Sequence, residues 1–498
     1  MVKQFDLTQT FNLKGDWFLP EDANQRLSGE LSYSPEDGIH LELIGDFQVN
    51  PLGLGMNSYP TILGIVEGSR EISLFGCMYV GRGEVSLVKG NEIAKPVITF
   101  TVNSMVDGWL FGSFEEVRAT DVYFEIDGLS EWLCTTGFKP DDVKIDNTAK
   151  TADVHYELPR PIEFEFPKGV KASFVFSMNN MPDSIVMTKL TLEQTVRLRL
   201  QKEEGFTLED IFRDSYKFMT FLMLGLNGET HIKSVYFFNP DYSIEISPGT
   251  QHKRRLNFFY HQHFTVKERK WDFRTMTFTF PVVRDNLQAL IAKWDEDFEE
   301  FEPAINLLIE QIRDKNTFND NDFLNLAQAA ETIHDRMRPG AVKMPDVEYK
   351  SLKKQILNCI PESFKQFVQG LLQYGNSVSL SQRLRELVGW CPQPILKMFV
   401  PDSDLFIKEI IDSRNYYTHF TLSGKKHVKR GRELMILTER IQVLLIVNLL
   451  LHLGIEEKLL VRLYENHDYQ VHPLFQLVGS SFPCFQVVPQ VLALMRRL

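Results

Sequence analysis

The segment DSRNYYTHF, residues 412–420, contains side chains that could transfer a proton and bind a phosphate group. Arg414 offers a planar, permanently charged group for phosphate oxygens, and His419 changes charge near neutral pH. On a helix, Asn415 and His419 are four residues apart and share one face, and Arg414 lies one step around the axis. The pattern places a proton acceptor, an orienting amide and a cation on one short stretch.

The spacing of arginine and histidine does not single out this stretch, because other pairs in the chain have similar spacing. Arg254 and Arg255 both precede His261 at a comparable distance, and Arg462 precedes His467. The first two lie in strand-like sequence, and the third has Leu463 after the arginine and no amide placed to orient the histidine. Arg414 could also cap a helix end and His419 could be an ordinary buried histidine, so the residues alone leave both interpretations open.

The sequence around residue 415 is basic, although the chain as a whole carries a net charge of −12. Basic side chains and two tyrosines interleave here, an arrangement that suits single-stranded or looped RNA. The candidate RNA-binding residues are Tyr416, Tyr417, Lys425, Lys426, Lys429, Arg430 and Arg432. The alternative interpretation of the basic residues is a solvated loop.

Hydrophobic periodicity divides the chain into two halves that must position these residues. Up to about residue 284, apolar residues alternate with polar ones, as in 38–45, 95–102, 120–126, 152–158 and 172–178, which predicts antiparallel strands. A helix at 207–226, with Thr207 and Asp210 at capping-box spacing, precedes further strands at 231–238, 255–264 and 273–281. We therefore expect a β-rich domain at 1–284, forming an antiparallel sheet or sandwich.

From residue 285 onward, apolar residues recur every three or four positions, which is typical of amphipathic helices. This pattern predicts an all-α domain at 285–498, so that the fold class is α+β. The predicted helices are 286–314, 321–337, 347–358, 361–374, 379–390, 402–418, 433–453 and 456–466.

Composition and missing motifs exclude several classes of protein. The 498 residues, with 43% hydrophobic and 24% charged residues, are typical of a folded chain of several domains. The five cysteines are isolated, which favours a reducing compartment. The most apolar stretch, 441–453, is shorter than the roughly 20 residues that span a bilayer. We expect a cytoplasmic protein with no membrane partner.

The chain lacks the common nucleotide-binding, zinc-protease and α/β-hydrolase motifs. Two alternatives remain beside RNA cleavage. One is a metal-dependent hydrolase centred on His252, His261 and His263. His261 and His263 would share one face of a strand, but the spacing does not fix His252 or any other residue as the third ligand. The other is a non-catalytic module that binds a ligand or viral protein through its β-rich half and dimerises through its helices.

RNYYTH in an all-α C-terminal domain resembles the R-N-x-x-x-H signature of HEPN ribonucleases, and the whole chain resembles the ApeA-type HEPN proteins of bacterial anti-phage defence. The resemblance extends to residues 15–45 and to the helical stretches 323–337 and 379–388. It implies a ribonuclease without a metal or other cofactor, with Arg414, Asn415 and His419 as the catalytic residues. It further implies a homodimer that pairs two copies of the motif.

For such an enzyme we expect attack by the ribose 2′-OH, which leaves a 2′,3′-cyclic phosphate and a 5′-OH. A tRNA, cut in the anticodon loop, is the favoured substrate, and messenger RNA is the second choice. We also expect the acidic β-rich half to restrain or trigger the helical half, with a phage component as the trigger.

Overall fold

A computed structural model describes residues 5–47, 58–83, 96–139, 143–146, 148, 150–180, 191–247, 249–262, 266, 269–313, 318–420 and 426–466. The chain forms two compact units, Met1–Glu299 with Ile312–Asp314 and Glu300–Gln311 with Lys315–Leu498. The first unit is β-rich and the second is helical. The predicted α+β class is confirmed.

Six antiparallel strands at the start of the first unit form a sheet that closes on itself. The strands are β1 (Phe11–Leu19), β2 (Asp22–Ser34), β3 (Gly38–Ile44), β4 (Tyr59–Val66), β5 (Arg70–Gly83) and β6 (Val97–Asp107). Their spatial order is β6-β3-β2-β1-β4-β5, and the sheet closes because β5 also pairs with β6. Burial alternates along these strands: in β3 the side chains of Ile39, Leu41 and Leu43 are buried and Glu42 is exposed.

The same sheet continues from β6 in the order β16-β13-β7-β12-β11-β10. These strands are β7 (Ala119–Ile126), β10 (Ile162–Phe166), β11 (Val170–Asn180), β12 (Leu192–Phe206), β13 (Ile232–Phe238) and β16 (Leu256–Tyr260). Two small hairpins complete the strands of the described residues, namely β8 (Val143–Asp146) with β9 (Thr151–Val154) and β14 (Ser243–Ser247) with β15 (Thr250–Lys253).

Two helices of the first unit, α1 (Leu129–Leu133) and α2 (Leu208–Leu226), interrupt the strands. The predicted capping box is present, with Thr207 and Asp210 each bonding the other's backbone N–H at 3.1 Å. The apolar side of α2 packs on the sheet, where the rings of Phe212 and Phe258 lie 5.1 Å apart.

The predicted strand at 273–281 is wrong. Residues Phe273–Thr275 form a turn of 3₁₀ helix and Phe280–Val283 form a short helix, α3. Met276, Phe278 and Phe280 are buried, and so is Thr277 between them; the Phe278 ring lies 5.6 Å from Phe221 of α2. The alternating pattern therefore marks a buried segment that pairs with no strand.

All eight helices predicted for the C-terminal half are present. They are α4 (Leu287–Ile312), α5 (Asp320–Met337), α6 (Asp346–Asn358), α7 (Glu362–Leu371), α8 (Leu380–Trp390), α10 (Ser403–His419), α11 (Arg432–His452) and α12 (Glu457–Asn466). The sequence reasoning missed α9 (Gln393–Phe399), which follows Pro392 and contains Pro394 in its first turn. Proline is tolerated there because the first N–H groups of a helix need no intrahelical acceptor.

Helix α11 is the core of the helical unit and packs against α5, α8 and α10. It is also the one helix among the described residues that is long and apolar enough to cross a membrane. However, 67% of its most apolar window is buried by the rest of the protein, as in the central helix of a soluble protein.

Candidate RNA-cleavage site on helix α10

Helix α10 carries the predicted catalytic residues, and its sequence defines both its start and its buried side. The Asp402 side chain caps the N-terminus by accepting the N–H of Leu405 at 3.0 Å. Buried residues then recur at helical spacing, at Phe406, Ile410 and Ser413 and finally at Tyr417, which is 7% exposed. Ile407 and Glu409 are buried as well, whereas positions 414–416, 418 and 419 are half-buried or exposed.

Arg414, Asn415 and His419 all lie on the flank and outer surface of α10. Arg414 and Asn415 are half-buried and His419 is exposed. Asn415 and His419 share a face as predicted, but no hydrogen bond joins these two side chains in the described structure. The imidazole is therefore accessible to a ligand approaching α10 from outside.

Arg414 has an ion-pair partner on the neighbouring helix α5. Its Nη2 lies 3.5 Å from Oε1 of Glu331, and the two side chains are 35% and 37% exposed. At this distance and exposure an ion pair contributes about 0–1 kcal/mol. The guanidinium is thus oriented by Glu331 while its other N–H groups can reach a further anion.

A polar network centred on the buried ring of His334 joins α5 to α8 behind Glu331. Nη1 of Arg383 donates to the Glu331 carbonyl at 3.2 Å and to Nδ1 of His334 at 3.4 Å. Nε2 of His334 bonds Glu386 at 2.8 Å, which assigns the ring proton to Nε2 because Nδ1 accepts from arginine. The hydrogen bond from Arg338, together with those from His334 and Gln382, lowers the pKa of Glu386 to about 2. This network fixes the helix that presents Glu331 to Arg414.

Three residues of α10, spaced one turn apart, hold Lys429 of the following loop. Its N–H donates to Oγ of Ser413 at 2.9 Å, and its carbonyl accepts from the Tyr417 hydroxyl at 3.1 Å. Its ammonium group pairs with Glu409 at 3.0 Å. We call this arrangement the Lys429 clamp. It holds residues 426–432, which we call the basic segment, against the side of α10.

The predicted RNA contacts separate into exposed and internal residues. Lys426, Arg430 and Arg432 are exposed, and Tyr416 is half-buried, with the Arg430 guanidinium 4.8 Å from its ring centre. In contrast, Tyr417 is buried and Lys429 is engaged in the clamp. Lys425 lies outside the described residues.

Burial of Tyr417 means that this ring presents no face to an incoming base, because packing against Phe323 and its hydroxyl bond direct it inward. The ammonium group of Lys429 is likewise paired with Glu409 and Glu433. Among the predicted RNA-binding residues that the structure describes, those a ligand can reach are therefore Tyr416, Lys426, Arg430 and Arg432.

Two ionisable residues of α11 are perturbed by burial. Desolvation raises the pKa of Glu439 to about 7, and its Oε2 atom has no hydrogen-bond partner among the described residues. Desolvation also lowers the pKa of the neighbouring Arg440, and Glu409 is the charge that opposes this shift. Glu409 thus serves two cations, Lys429 and Arg440.

The metal-site alternative has little structural support in the described part of the chain. No group of three or more His, Cys, Asp or Glu residues there could hold a metal ion. His252 lies in the β14–β15 hairpin, paired in register with Ile244, and His261 follows β16. His263 lies outside the described residues.

Sequence reasoning missed Glu331, Ser413 and Phe420. The first two act through tertiary contacts that no local pattern reveals. Phe420 directly follows the motif. The sequence feature that could have identified it is a phenylalanine at the end of α10, where glycine or asparagine is usual.

Comparison with known protein families gave two matches. Residues 12–294 match a family model described as ApeA N-terminal domain 1, and residues 324–459 match one described as Apea-like HEPN. The first match covers more than half of the chain, and the second interval contains positions 414–419. No curated protein and no solved structure matched the chain.

Proposed function

We propose that this chain, which belongs to the ApeA-type HEPN proteins, is a metal-independent endoribonuclease that cuts RNA at the outer face of α10. The family consists of nucleases in antiviral defence. The observation that carries the proposal is the placement of the motif. His419 is exposed, Arg414 is tethered by one weak ion pair, and the Lys429 clamp holds a basic segment beside both.

The chemistry follows from the residue types. A base removes the proton from the ribose 2′-OH, whose oxygen then bonds to the adjacent phosphorus while the bond from phosphorus to the 5′-oxygen breaks. The leaving oxygen takes a proton, which gives a 2′,3′-cyclic phosphate and a 5′-OH. In this scheme His419 transfers protons and Arg414 stabilises the charge on the phosphorane oxygens. Asn415 orients the imidazole or a phosphate oxygen.

A homodimer completes the site in this proposal. Deprotonating the 2′-OH and protonating the leaving oxygen occur on opposite sides of the phosphorus. Two copies of α10, paired through the helical domain, would supply one imidazole to each side. The exposed position of His419 is compatible with this pairing.

The substrate class is unpaired RNA, with a tRNA loop favoured over messenger RNA. A tRNA anticodon loop presents unpaired bases next to a backbone that basic side chains can follow. Because an unrestrained ribonuclease would kill its host, we assign restraint and triggering by a phage component to the acidic β-rich unit. The protein would act in the cytoplasm.

Three proteins test the proposal: wild type, His419→Ala and His261→Ala, each incubated with total RNA in EDTA. We expect RNA loss with wild type and with His261→Ala, and intact RNA with His419→Ala. His261 is an exposed histidine of the β-rich unit, so its replacement also tests the metal-site alternative.

End-group mapping should find 2′,3′-cyclic phosphates, and an all-deoxy substrate should stay intact because it lacks the nucleophile. Loss of activity in EDTA, or cleavage of the deoxy substrate, would contradict the mechanism. RNA termini should also be sequenced from phage-infected cells, with cells that express His419→Ala as control, because infection supplies any phage component that acts as the trigger. Identical termini in both would favour the non-catalytic binding module.

A further inference from the structure

Phe420 lies at the C-terminal end of α10, immediately after His419, and 68% of its surface is exposed. Its backbone is left-handed, with φ +46° and ψ +36°, and its N–H closes the helix by donating to the Tyr416 carbonyl at 2.6 Å. A large apolar side chain thus stands in solvent at the point where the candidate site ends.

Helix termination does not account for phenylalanine at this position. The left-handed conformation is disfavoured for residues with a Cβ, and glycine or asparagine usually occupies this position. Burial does not account for it either, because the ring remains largely in solvent. Strained backbone that packing does not explain is characteristic of functional positions.

The surroundings of Phe420 indicate what it could bind. Its ring lies 6.0 Å from Tyr416, which in turn has the Arg430 guanidinium 4.8 Å from its centre. Four residues apart, these two rings lie together on one side of the helix end, next to His419, and meet edge to face at 66°. Because Tyr417 is buried, Tyr416 and Phe420 are the aromatic groups of this helix end that a ligand can reach.

We propose that Phe420 and Tyr416 form a stacking platform for an unpaired RNA base beside the bond that is cut. The inference rests on the proposed function and adds the residues that would select single-stranded substrate. Aromatic rings stack on any base, and Arg430 lies where it can contact the adjoining phosphate. The exposed cations Lys426, Arg430 and Arg432 favour a polyanionic ligand beside these rings.

Binding is measured in a His419→Ala background, so that the probe stays intact. The probe is a fluorescent single-stranded RNA, with an RNA duplex of the same length for comparison. Phe420→Asn removes the ring but suits the left-handed backbone, and Phe420→Trp keeps an aromatic surface. Phe367→Asn is the matched control, because Phe367 of α7 is 69% exposed.

We expect Phe420→Asn to weaken single-strand binding by about tenfold and to reduce the preference over duplex. Its melting temperature should equal or exceed that of the parent, because asparagine relieves the backbone strain. Phe420→Trp should bind within about twofold of the parent, which is the usual tolerance of stacking sites for a second aromatic. The Phe367→Asn control should not change affinity.

Unchanged affinity in Phe420→Asn, or a parent that binds no RNA, would overturn the platform. Unchanged affinity with an altered sedimentation coefficient would assign Phe420 to contact with a second copy instead. Binding is independent of cleavage here: a wild type that cuts nothing, with weakened binding in Phe420→Asn, contradicts the proposed nuclease and leaves the platform intact.

Discussion

Ser413 and Tyr417, one turn apart on α10, bond the backbone N–H and the backbone carbonyl of the same loop residue, Lys429. The contact is local in space but joins residues 16 and 12 positions apart in sequence. It fixes the position of Lys429, and with it the basic residues on either side, relative to α10. The position of the exposed cations therefore depends on two side chains that do not themselves reach the surface.

Removing either side of this clamp should destabilise the helical unit. Ser413→Ala leaves the Lys429 N–H without its acceptor, and we expect the free energy of unfolding to fall by about 1–3 kcal/mol. Tyr417→Phe should cost about 0.5–1.5 kcal/mol. Denaturant unfolding measures both changes, and amide exchange of residues 426–431 should quicken. Thr418→Ala, an exposed change on the same helix, is the control; equal losses in all three variants would contradict the clamp.

Helical periodicity was sufficient to place Asn415 and His419 on one face, because that relationship is local. It was also sufficient for the eight predicted helices. The sequence analysis treated Tyr416 and Tyr417 alike as RNA-binding residues. In the structure, the buried positions of α10 include 406, 410, 413 and 417, so that Tyr417 is buried and Tyr416, one residue earlier, is accessible. A one-residue shift in register turns a surface ring into a core ring.

Closure of the sheet and the network behind Glu331 could not be predicted in the same way. Closure requires β5 to pair with β6, and the network joins α5 to α8 across about 50 residues. Such contacts depend on how elements pack, which no periodicity encodes. The segment 273–281 shows that periodicity can also mislead: its apolar residues alternate as in a strand and are buried, but the segment forms no strand.

Replacing Glu331 by glutamine should strengthen RNA binding. The carboxylate competes with phosphate for Arg414, and the ion pair is too exposed to contribute much to stability. We expect about two- to fivefold tighter binding at low salt, with the melting temperature unchanged. Glu362→Gln removes an exposed charge of α7 that pairs with Lys365 and serves as the control. Weaker binding in Glu331→Gln alone would show that orientation of Arg414 outweighs competition.

Glu386 should give stability that depends on acid. Its pKa is lowered to about 2 in the folded protein, so its contribution is present above the ordinary carboxyl pKa of about 4.5 and is lost as pH falls towards 2. We expect Glu386→Gln to lower the free energy of unfolding by about 1–2 kcal/mol at pH 7, a modest value because Arg338 is half exposed. Between pH 5 and pH 3 the variant should lose less stability than wild type. Parallel acid profiles of the two proteins would contradict the assignment.

Glu439 should have the opposite pH dependence. Burial raises its pKa to about 7, so the folded protein holds a proton that the unfolded chain releases near pH 4.5. Its contribution is favourable below pH 4.5 and is lost as pH rises to 7, above which a charged oxygen is buried without a hydrogen bond. Glu439→Gln should therefore raise the free energy of unfolding by about 1–3 kcal/mol at pH 8 and by much less at pH 5. Denaturant unfolding at the two pH values measures this difference, with Glu348→Gln at an exposed position of α6 as control. An equal gain at both pH values would mean that the substitution acts through packing and not through ionisation of the carboxyl group.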